Sequence, residues 1–112
     1  MEKVTRVAQA LYDKKAKDIE VLDISEVTSI AEYFVICTCT STTQVKACAD
    51  EVEEKMDELE IRPSHLEGYS GGNWILMDYG DIVVHIMTEE THEFYSLERL
   101  WSDAKTVKVE LK

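Results

Sequence analysis

Residues 74–87, WILMDYGDIVVHIM, carry the clearest β-hairpin pattern in the chain. Two segments rich in β-branched and large apolar side chains, 74–78 and 81–87, flank Tyr79-Gly80, a pair that suits a tight turn. Because so few residues connect the two segments, they should pair as antiparallel neighbours. The sequence therefore predicts a sheet in which these two strands lie side by side.

The returning strand of this hairpin has apolar residues on both faces. Ile82, Val84 and Ile86 alternate with Val83, His85 and Met87. His85 is either an ordinary sheet histidine with satisfied hydrogen bonds or part of a face that the helices leave partly uncovered. In the second case the surface would carry an exposed apolar patch. Those side chains that point outward among Trp74, Met77, His85 and Met87 would belong to it. The pattern leaves both alternatives open.

Helical and strand patterns alternate along the rest of the chain. The predicted helices span 3–17, from Ser41 or Thr42 to Arg62-Pro63, and 91–101. The other predicted strands span 19–23, 33–40, 64–67 and 106–111. Residues 33–40 should be central, because their first half is apolar on both faces. We expect one α/β (α+β) domain over residues 1–112, with a mixed five-stranded sheet and flanking helices.

The composition fits one compact domain with an acidic surface. The chain has 112 residues, 45% of them hydrophobic, and 23 acidic residues against 12 basic ones give a net charge of −11. A nucleic-acid-binding protein needs a basic surface to displace counterions from phosphates, and an anionic membrane also attracts basic segments. The charge therefore argues against both ligands and favours a basic partner.

The sequence has the features of a cytoplasmic protein. Its first residues are charged throughout and lack the apolar core of a secretion signal. No apolar run approaches the roughly 18 residues of a membrane span. An odd number of cysteines favours a reducing compartment over a disulfide framework. We therefore expect the protein in the cytoplasm.

Cysteine and histidine are the first candidates for chemistry. Cys37, Cys39 and Cys48 could bind zinc with the three histidines, or one of them could be a nucleophile. Structural zinc sites, however, usually space cysteines two to four residues apart in a turn. None of these cysteines is predicted at a helix N-terminus, where a thiolate would be stabilised. The sequence favours buried small hydrophobic side chains, without metal or cofactor.

Two carboxylates beside the hairpin turn are the second candidate. Asp78 and Asp81 could hold magnesium for nucleotidyl transfer. Their spacing across a turn does not place both on one strand face, and Asp is a common turn residue. The glycines at 68, 71 and 72 lead into a strand, not into the helix that a phosphate loop needs. We expect turns at both places.

The hairpin and its surroundings resemble the ribosomal silencing factor family, also called Iojap or RsfS. The matching motifs are WILMDYGDIVVHIM at 74–87, FYSLERLW at 94–101 with Asp103-Ala104, AEYFVI at 31–36, QVKA at 44–47 and Glu67-Gly68. The similarity runs from about residue 4 to about residue 110. A pattern with this many parts is far more specific than a single short motif.

The resemblance implies a non-enzymatic repressor of translation. Members of the family bind the large ribosomal subunit through its ribosomal protein fourteen and block joining of the small subunit when nutrients are short. Their fold is a mixed sheet with flanking helices, similar to nucleotidyltransferases but without the catalytic carboxylates. They tend to be homodimers. The acidic charge of this chain would repel bare RNA, so we also expect little direct RNA contact. A separate role in large-subunit assembly stays open.

The resemblance also implies which residues bind the partner. We expect Trp74 to be the anchor, since a large ring can fill a pocket at low entropic cost. Met77 and Met87 would be adaptable apolar neighbours, and Asp78 and Glu98 would pair with basic groups of the partner. The full set of candidate contacts is Trp74, Met77, Asp78, His85, Met87, Phe94, Tyr95, Leu97, Glu98 and Trp101. At least one of Phe94, Leu97 and Trp101 should pack inward, because they share a helical stripe.

The chain departs from the family pattern at two positions. His92 and Thr43 stand where the family usually has arginine. Whether this chain makes the contacts to phosphate or carboxylate groups that those arginines would make therefore stays open.

Two other functions also stay open. One is an acidic dimeric adaptor without a ribosomal role, and the other is a divergent nucleotidyltransferase-like enzyme using Asp78, Asp81 and magnesium.

Overall fold

The structure is a computed structural model that describes residues 2–95 and 104–112, with the side chains of residues 94 and 95 outside the description. Three helices and six strands lie within this part of the chain. In chain order they are α1 (Glu2–Asp13), β1 (Lys17–Asp23), β2 (Tyr33–Cys39), α2 (Thr42–Asp57), β3 (His65–Glu67), β4 (Trp74–Asp78), β5 (Ile82–Thr88), α3 (Glu89–Tyr95) and β6 (Lys105–Val107). The predicted order of helices and strands is confirmed.

The six strands form one mixed sheet in the order β3-β4-β5-β2-β1-β6. β2 and β5 run parallel, and every other neighbouring pair is antiparallel. The predicted α+β class, the mixed sheet and the central position of β2 are confirmed, whereas the expected count of five strands is wrong. β3 and β6 have three residues each and lie at the two edges; both are among the predicted strands, and the structure includes both in the one sheet.

The predicted helix boundaries need correction. α1 ends at Asp13, not at residue 17, because Lys15 has a positive φ of 65° and turns the chain into β1. α3 begins at Glu89, two residues before the predicted start at Thr91. The predicted remainder of this helix, residues 96–101, lies outside the described residues.

The start of α2 follows the predicted capping chemistry. Ser41 is the N-cap, and its Oγ accepts a hydrogen bond from the backbone N–H of Gln44 at 3.1 Å. α2 itself ends at Asp57, before the predicted Arg62-Pro63 stop, and a positive φ of 61° at Glu60 directs the chain towards β3.

Buried side chains form one cluster on each face of the sheet. The larger cluster lies between the sheet and helices α1 and α2, and it includes Ile75, Met77, Ile82, Val84 and Ile86. The smaller cluster, on the opposite face, consists of Leu22, Ile24, Ala31, Phe34, Ile36, Val83 and Met87, with Trp74, Leu76 and Ala104 packed against it. Among residues 2–95 and 104–112, no helix is long and apolar enough to cross a membrane.

Candidate functional site

The sheet face opposite α1 and α2 carries the strongest candidate site. In the antiparallel register of β4 and β5, Trp74 pairs with Met87, Leu76 with His85 and Asp78 with Val83. Alternate residues of a strand share a face, so these six side chains line one side of the hairpin. We call this surface, together with Phe34 of β2, the Trp74 face. The predicted grouping of Val83, His85 and Met87 is confirmed.

Trp74 and His85 are joined by a hydrogen bond across the two strands. The indole Nε1–H of Trp74 donates to Nδ1 of His85 at 3.1 Å, and the two ring centroids lie 5.9 Å apart. Phe34 meets the imidazole edge-on, with ring centroids 4.8 Å apart. These contacts fix the orientation of the imidazole, since one nitrogen and one ring edge are both engaged.

His85 is neutral in this environment. Its side chain is 5% exposed, and burial lowers its pKa from 6.5 to about 4 because the charged imidazolium loses its hydration. Nδ1 accepts the indole hydrogen, so the remaining proton lies on Nε2. Nε2 is buried and has no hydrogen-bond partner among the described residues. His85 therefore fits neither alternative fully. Its side chain is buried, but only one of its two ring nitrogens has a hydrogen-bond partner among the described residues.

A groove of ≈ 350 Å³ opens on the Trp74 face beside His85. Its residues come from four strands and from the connection between β1 and β2: Ile30, Phe34, His65, Glu67, Leu76, Asp78, Val83 and His85. Apolar side chains form the floor, and Ile30, at one end, is 66% exposed. Glu67 and Asp78 add carboxylates to the lining. We call this feature the His85 groove.

The two aspartates of the hairpin are engaged separately. Asp78 Oδ1 accepts the backbone N–H of Gly80 at 2.8 Å, which stabilises the turn. Asp81 Oδ2 lies 2.6 Å from Nζ of Lys3, on α1. The predicted turn role is therefore confirmed for Asp78, and each carboxylate already has a partner of its own. Within the described residues, no group of three or more His, Cys, Asp or Glu could hold a metal ion.

Two of the methionines expected at the surface are buried. Met77 is 1% exposed and belongs to the cluster under α1 and α2, so its expected position beside Trp74 is wrong. The reason is the period-two alternation of β4, which turns Met77 to the face opposite that of Trp74. Met87 does share the Trp74 face, but it is 0% exposed and supports that face from within.

Most of the carboxyl-terminal candidates lie outside the description. Leu97, Glu98 and Trp101 fall in residues 96–103, and Phe94 and Tyr95 are described only as backbone of α3. The two departures from the family pattern are described more fully. His92 lies in α3 and lines a small cavity with Asp18, Glu89 and Glu93 among others, whereas Thr43 is exposed in the first turn of α2.

The three cysteines are structural. All are buried and free, and Sγ of Cys39 lies 3.6 Å from Sγ of Cys48. Hydrogen bonding with Cys37 and burial raise the pKa of Cys39 to about 12, and hydrogen bonding with Cys39 also raises the pKa of Cys48. The thiols of Cys39 and Cys48 therefore stay protonated at neutral pH, and the interpretation of all three cysteines as small buried hydrophobic residues is confirmed.

Several groove residues were not among the predicted contacts. Leu76 could have been found, because it alternates with Trp74 and Asp78. Ile30 gave no signal, since it lies in a polar connection. Phe34 and Val83 become neighbours only through the parallel β2–β5 pairing. The missing information is thus the strand order.

The fold and this surface define a small α+β domain with a mixed six-stranded sheet and an open, largely apolar groove on one sheet face. The chain belongs to the ribosomal silencing factor family, because the model described as "Ribosomal silencing factor during starvation" matches residues 1–112. It is 41% identical over 97 residues to the ribosomal silencing factor RsfS of Bacillus subtilis, covering 87% of this chain and 82% of that protein.

Two further comparisons extend this result. A crystal structure of a Chromobacterium violaceum protein superposes with a TM-score of 0.86 at 34% identity, covering 100% of this chain and 93% of the other. "Mitochondrial assembly of ribosomal large subunit protein 1" of Mus musculus is 30% identical over 102 residues, which is 88% of this chain and 45% of the mouse protein. Sequence similarity therefore extends from bacterial proteins to part of a mouse protein.

Proposed function

We propose that this protein represses translation by binding large-subunit ribosomal protein fourteen and thereby blocking the small subunit from joining the large one. The family description supports a role at the ribosome, and the name of the mouse relative supports the large subunit as its location. The observation that carries the proposal is the Trp74 face, where an aromatic anchor lies beside an open groove with an apolar floor and carboxylates in its lining. Blocking by occupancy needs no catalysis and no cofactor.

Charge complementarity supports a basic protein as the partner. The net charge of −11 would repel bare RNA and attract a basic ribosomal protein embedded in that RNA. Glu67 and Asp78, in the His85 groove, are placed to meet basic side chains. The proposal therefore includes little direct RNA contact. It also places the protein in the cytoplasm, where ribosomal subunits join.

Trp74 is the proposed anchor of this contact. Its side chain is half-buried, and the hydrogen bond to His85 holds the indole in one orientation before any partner arrives. A ring held in this way loses little conformational entropy on binding. Asp78 and His85 belong to the same proposed contact, and so do the carboxyl-terminal candidates Phe94, Tyr95, Leu97, Glu98 and Trp101.

Light scattering of subunit joining tests the proposal. Purified large and small subunits are mixed with the wild-type protein, with Trp74→Ala, or with Tyr12→Ala. Tyr12 is 48% exposed on α1 and provides a matched aromatic control away from the Trp74 face. We expect the wild type and the control to suppress joining alike. Trp74→Ala should need roughly a tenfold higher concentration or more, since central aromatic anchors often contribute 2 kcal/mol or more.

Each other outcome has a defined meaning. Suppression by all three proteins would keep the function and reject the Trp74 face as the site. No suppression at saturating protein would reject the function and favour the acidic adaptor.

The proposal also includes a homodimer, which sedimentation equilibrium over a range of concentrations would test. A monomer at all concentrations would contradict that part alone.

A further inference from the structure

β3 forms one edge of the sheet and is unusually open. All three of its residues, His65, Leu66 and Glu67, are exposed, and β4 is its only neighbour in the strand order. Among the described residues, no backbone hydrogen bond joins its outer side to another segment. An open edge of this kind presents N–H and C=O groups on which a further strand can pair.

A second groove runs beside this edge, on the helix side of the sheet. It has a volume of ≈ 680 Å³ and is lined by Asp50, Glu53, Glu54, Asp57, Ile61, Arg62, Pro63 and Leu66. Leu66 is 42% exposed and contributes, with Ile61 and Pro63, an apolar floor. We call this feature the α2 groove. The β3 edge therefore lies between the α2 groove on one face and the His85 groove on the other.

The wall of the α2 groove is acidic. Four carboxylates from α2 line it, and one cation, Arg62, lies 3.5 Å from Asp57. Arg62 is 83% exposed at its side chain, so this ion pair is weak and leaves most of the negative charge uncompensated. A strand added beside β3 would direct every second side chain towards this wall.

We propose that β3 accepts an extended, basic segment of a partner protein as an additional strand. Basic side chains at alternate positions would lie along the α2 carboxylates, and the intervening apolar side chains would lie on the opposite face, near the His85 groove. Main-chain pairing supplies the register, and the acidic wall selects a cationic sequence. This contact goes beyond the proposed function, because it rests on the β3 edge and the α2 groove and shares only the His85 groove with the Trp74 face.

The charge also decides against a second copy of this chain as the occupant. Two chains paired through β3 would bring their α2 carboxylates towards each other, and each chain carries a net charge of −11. Like charges opposed across a strand pair are destabilising. A basic segment would stabilise the pairing instead, because its cations would lie opposite the uncompensated carboxylates of the α2 groove.

Calorimetric titration with a synthetic peptide tests this proposal. The probe is an acetylated and amidated octapeptide of alternating lysine and valine. Two control peptides carry methyl groups on alternate backbone nitrogens, one on the nitrogens of the lysines and the other on those of the valines. We expect the unmethylated peptide to bind and to protect backbone amides at 65–67 from hydrogen exchange. One of the two methylation sets should abolish binding, because it removes the donors that face β3.

Two charge-matched variants separate the site from general attraction. Glu53→Gln/Asp57→Asn removes two charges from the α2 groove, and Glu26→Gln/Glu110→Gln removes two exposed charges near the opposite edge of the sheet. We expect the first variant to lower the affinity about five- to tenfold and the second to change it less than twofold.

Several outcomes would overturn the proposal. These are no binding, equal loss in both variants, unchanged binding of both methylated peptides, and amide protection confined to other segments. Self-association of the free protein that protects 65–67 would also overturn it, because a second copy would then occupy the edge. Since none of these readouts involves ribosomal subunits, failure here is distinguishable from failure of the proposed function.

Discussion

The indole N–H of Trp74 lies 3.1 Å from Nδ1 of His85 and links β4 to β5 diagonally across the hairpin. This bond does two things at once. It orients the proposed anchor residue, and it assigns the imidazole proton to Nε2. The stability of the hairpin and the shape of the Trp74 face are therefore coupled through one pair of side chains.

Trp74→Phe should destabilise the protein by about 1–3 kcal/mol, because it leaves the buried Nδ1 of His85 without a donor. Urea denaturation of the variant and the wild type measures this difference. Tyr12→Phe is the control, since Tyr12 is exposed and its loss of a hydroxyl should cost almost nothing. Equal stability of Trp74→Phe and the wild type would show that the bond contributes nothing.

His85 should make the protein less stable as the pH falls. In the unfolded chain this histidine takes up its proton near pH 6.5, whereas in the folded protein its pKa is about 4. Its contribution is therefore fully present above about pH 6.5 and is lost progressively down to about pH 4. The gap between the two pKa values corresponds to about 3 kcal/mol.

The variant His85→Gln isolates this effect. Gln does not titrate, so the free energy of unfolding should fall less steeply between pH 7 and pH 5 in the variant than in the wild type. Denaturant titrations at several pH values provide the comparison, and the remaining histidines are common to both proteins. Parallel pH profiles would contradict the burial of a neutral imidazole.

Gly68 and Gly80 should differ sharply in their tolerance of alanine. Both have positive φ angles, 82° and 88°, so either substitution carries a backbone cost of about 1–2 kcal/mol. At Gly68 an added Cβ would also overlap the carbonyl oxygen of Trp74, whereas at Gly80 it would meet nothing within 4 Å. Thermal denaturation should therefore show a much larger loss for Gly68→Ala. Similar losses would rule out the close approach of Gly68 to β4.

The cysteine thiols should react only when the protein unfolds. Cys39 has a pKa of about 12, and all three thiols are buried, so an alkylating or disulfide reagent finds no exposed thiolate at neutral pH. Labelling followed by mass spectrometry, with and without denaturant, measures this protection. Thr43→Cys supplies an exposed thiol as the positive control. Rapid labelling of the native wild type would contradict the burial.

Local patterns predicted the elements, but they did not predict how distant strands meet. Ser41 as a cap and the alternation of β5 were visible, because both depend on residues close in sequence. The alternation of β4 already separates Met77 from Trp74, so grouping the two was an avoidable error; period two does not say, however, which of the two faces the helices cover. The His85 groove was missed for a related reason: it exists only once β2 lies beside β5.

The parallel pairing of β2 with β5 also has a consequence for how the protein acquires its fold. Tyr33 pairs with Ile82, and the stretch between these two residues makes up almost half of the chain. The centre of the sheet cannot close until this whole stretch has been synthesised and positioned. Loop closure over such a distance slows folding, and the apolar surfaces of β2 stay uncovered meanwhile. A nascent chain of this protein is therefore most prone to aggregation just before β5 leaves the ribosome, and slower synthesis across residues 40–81 would lengthen that interval.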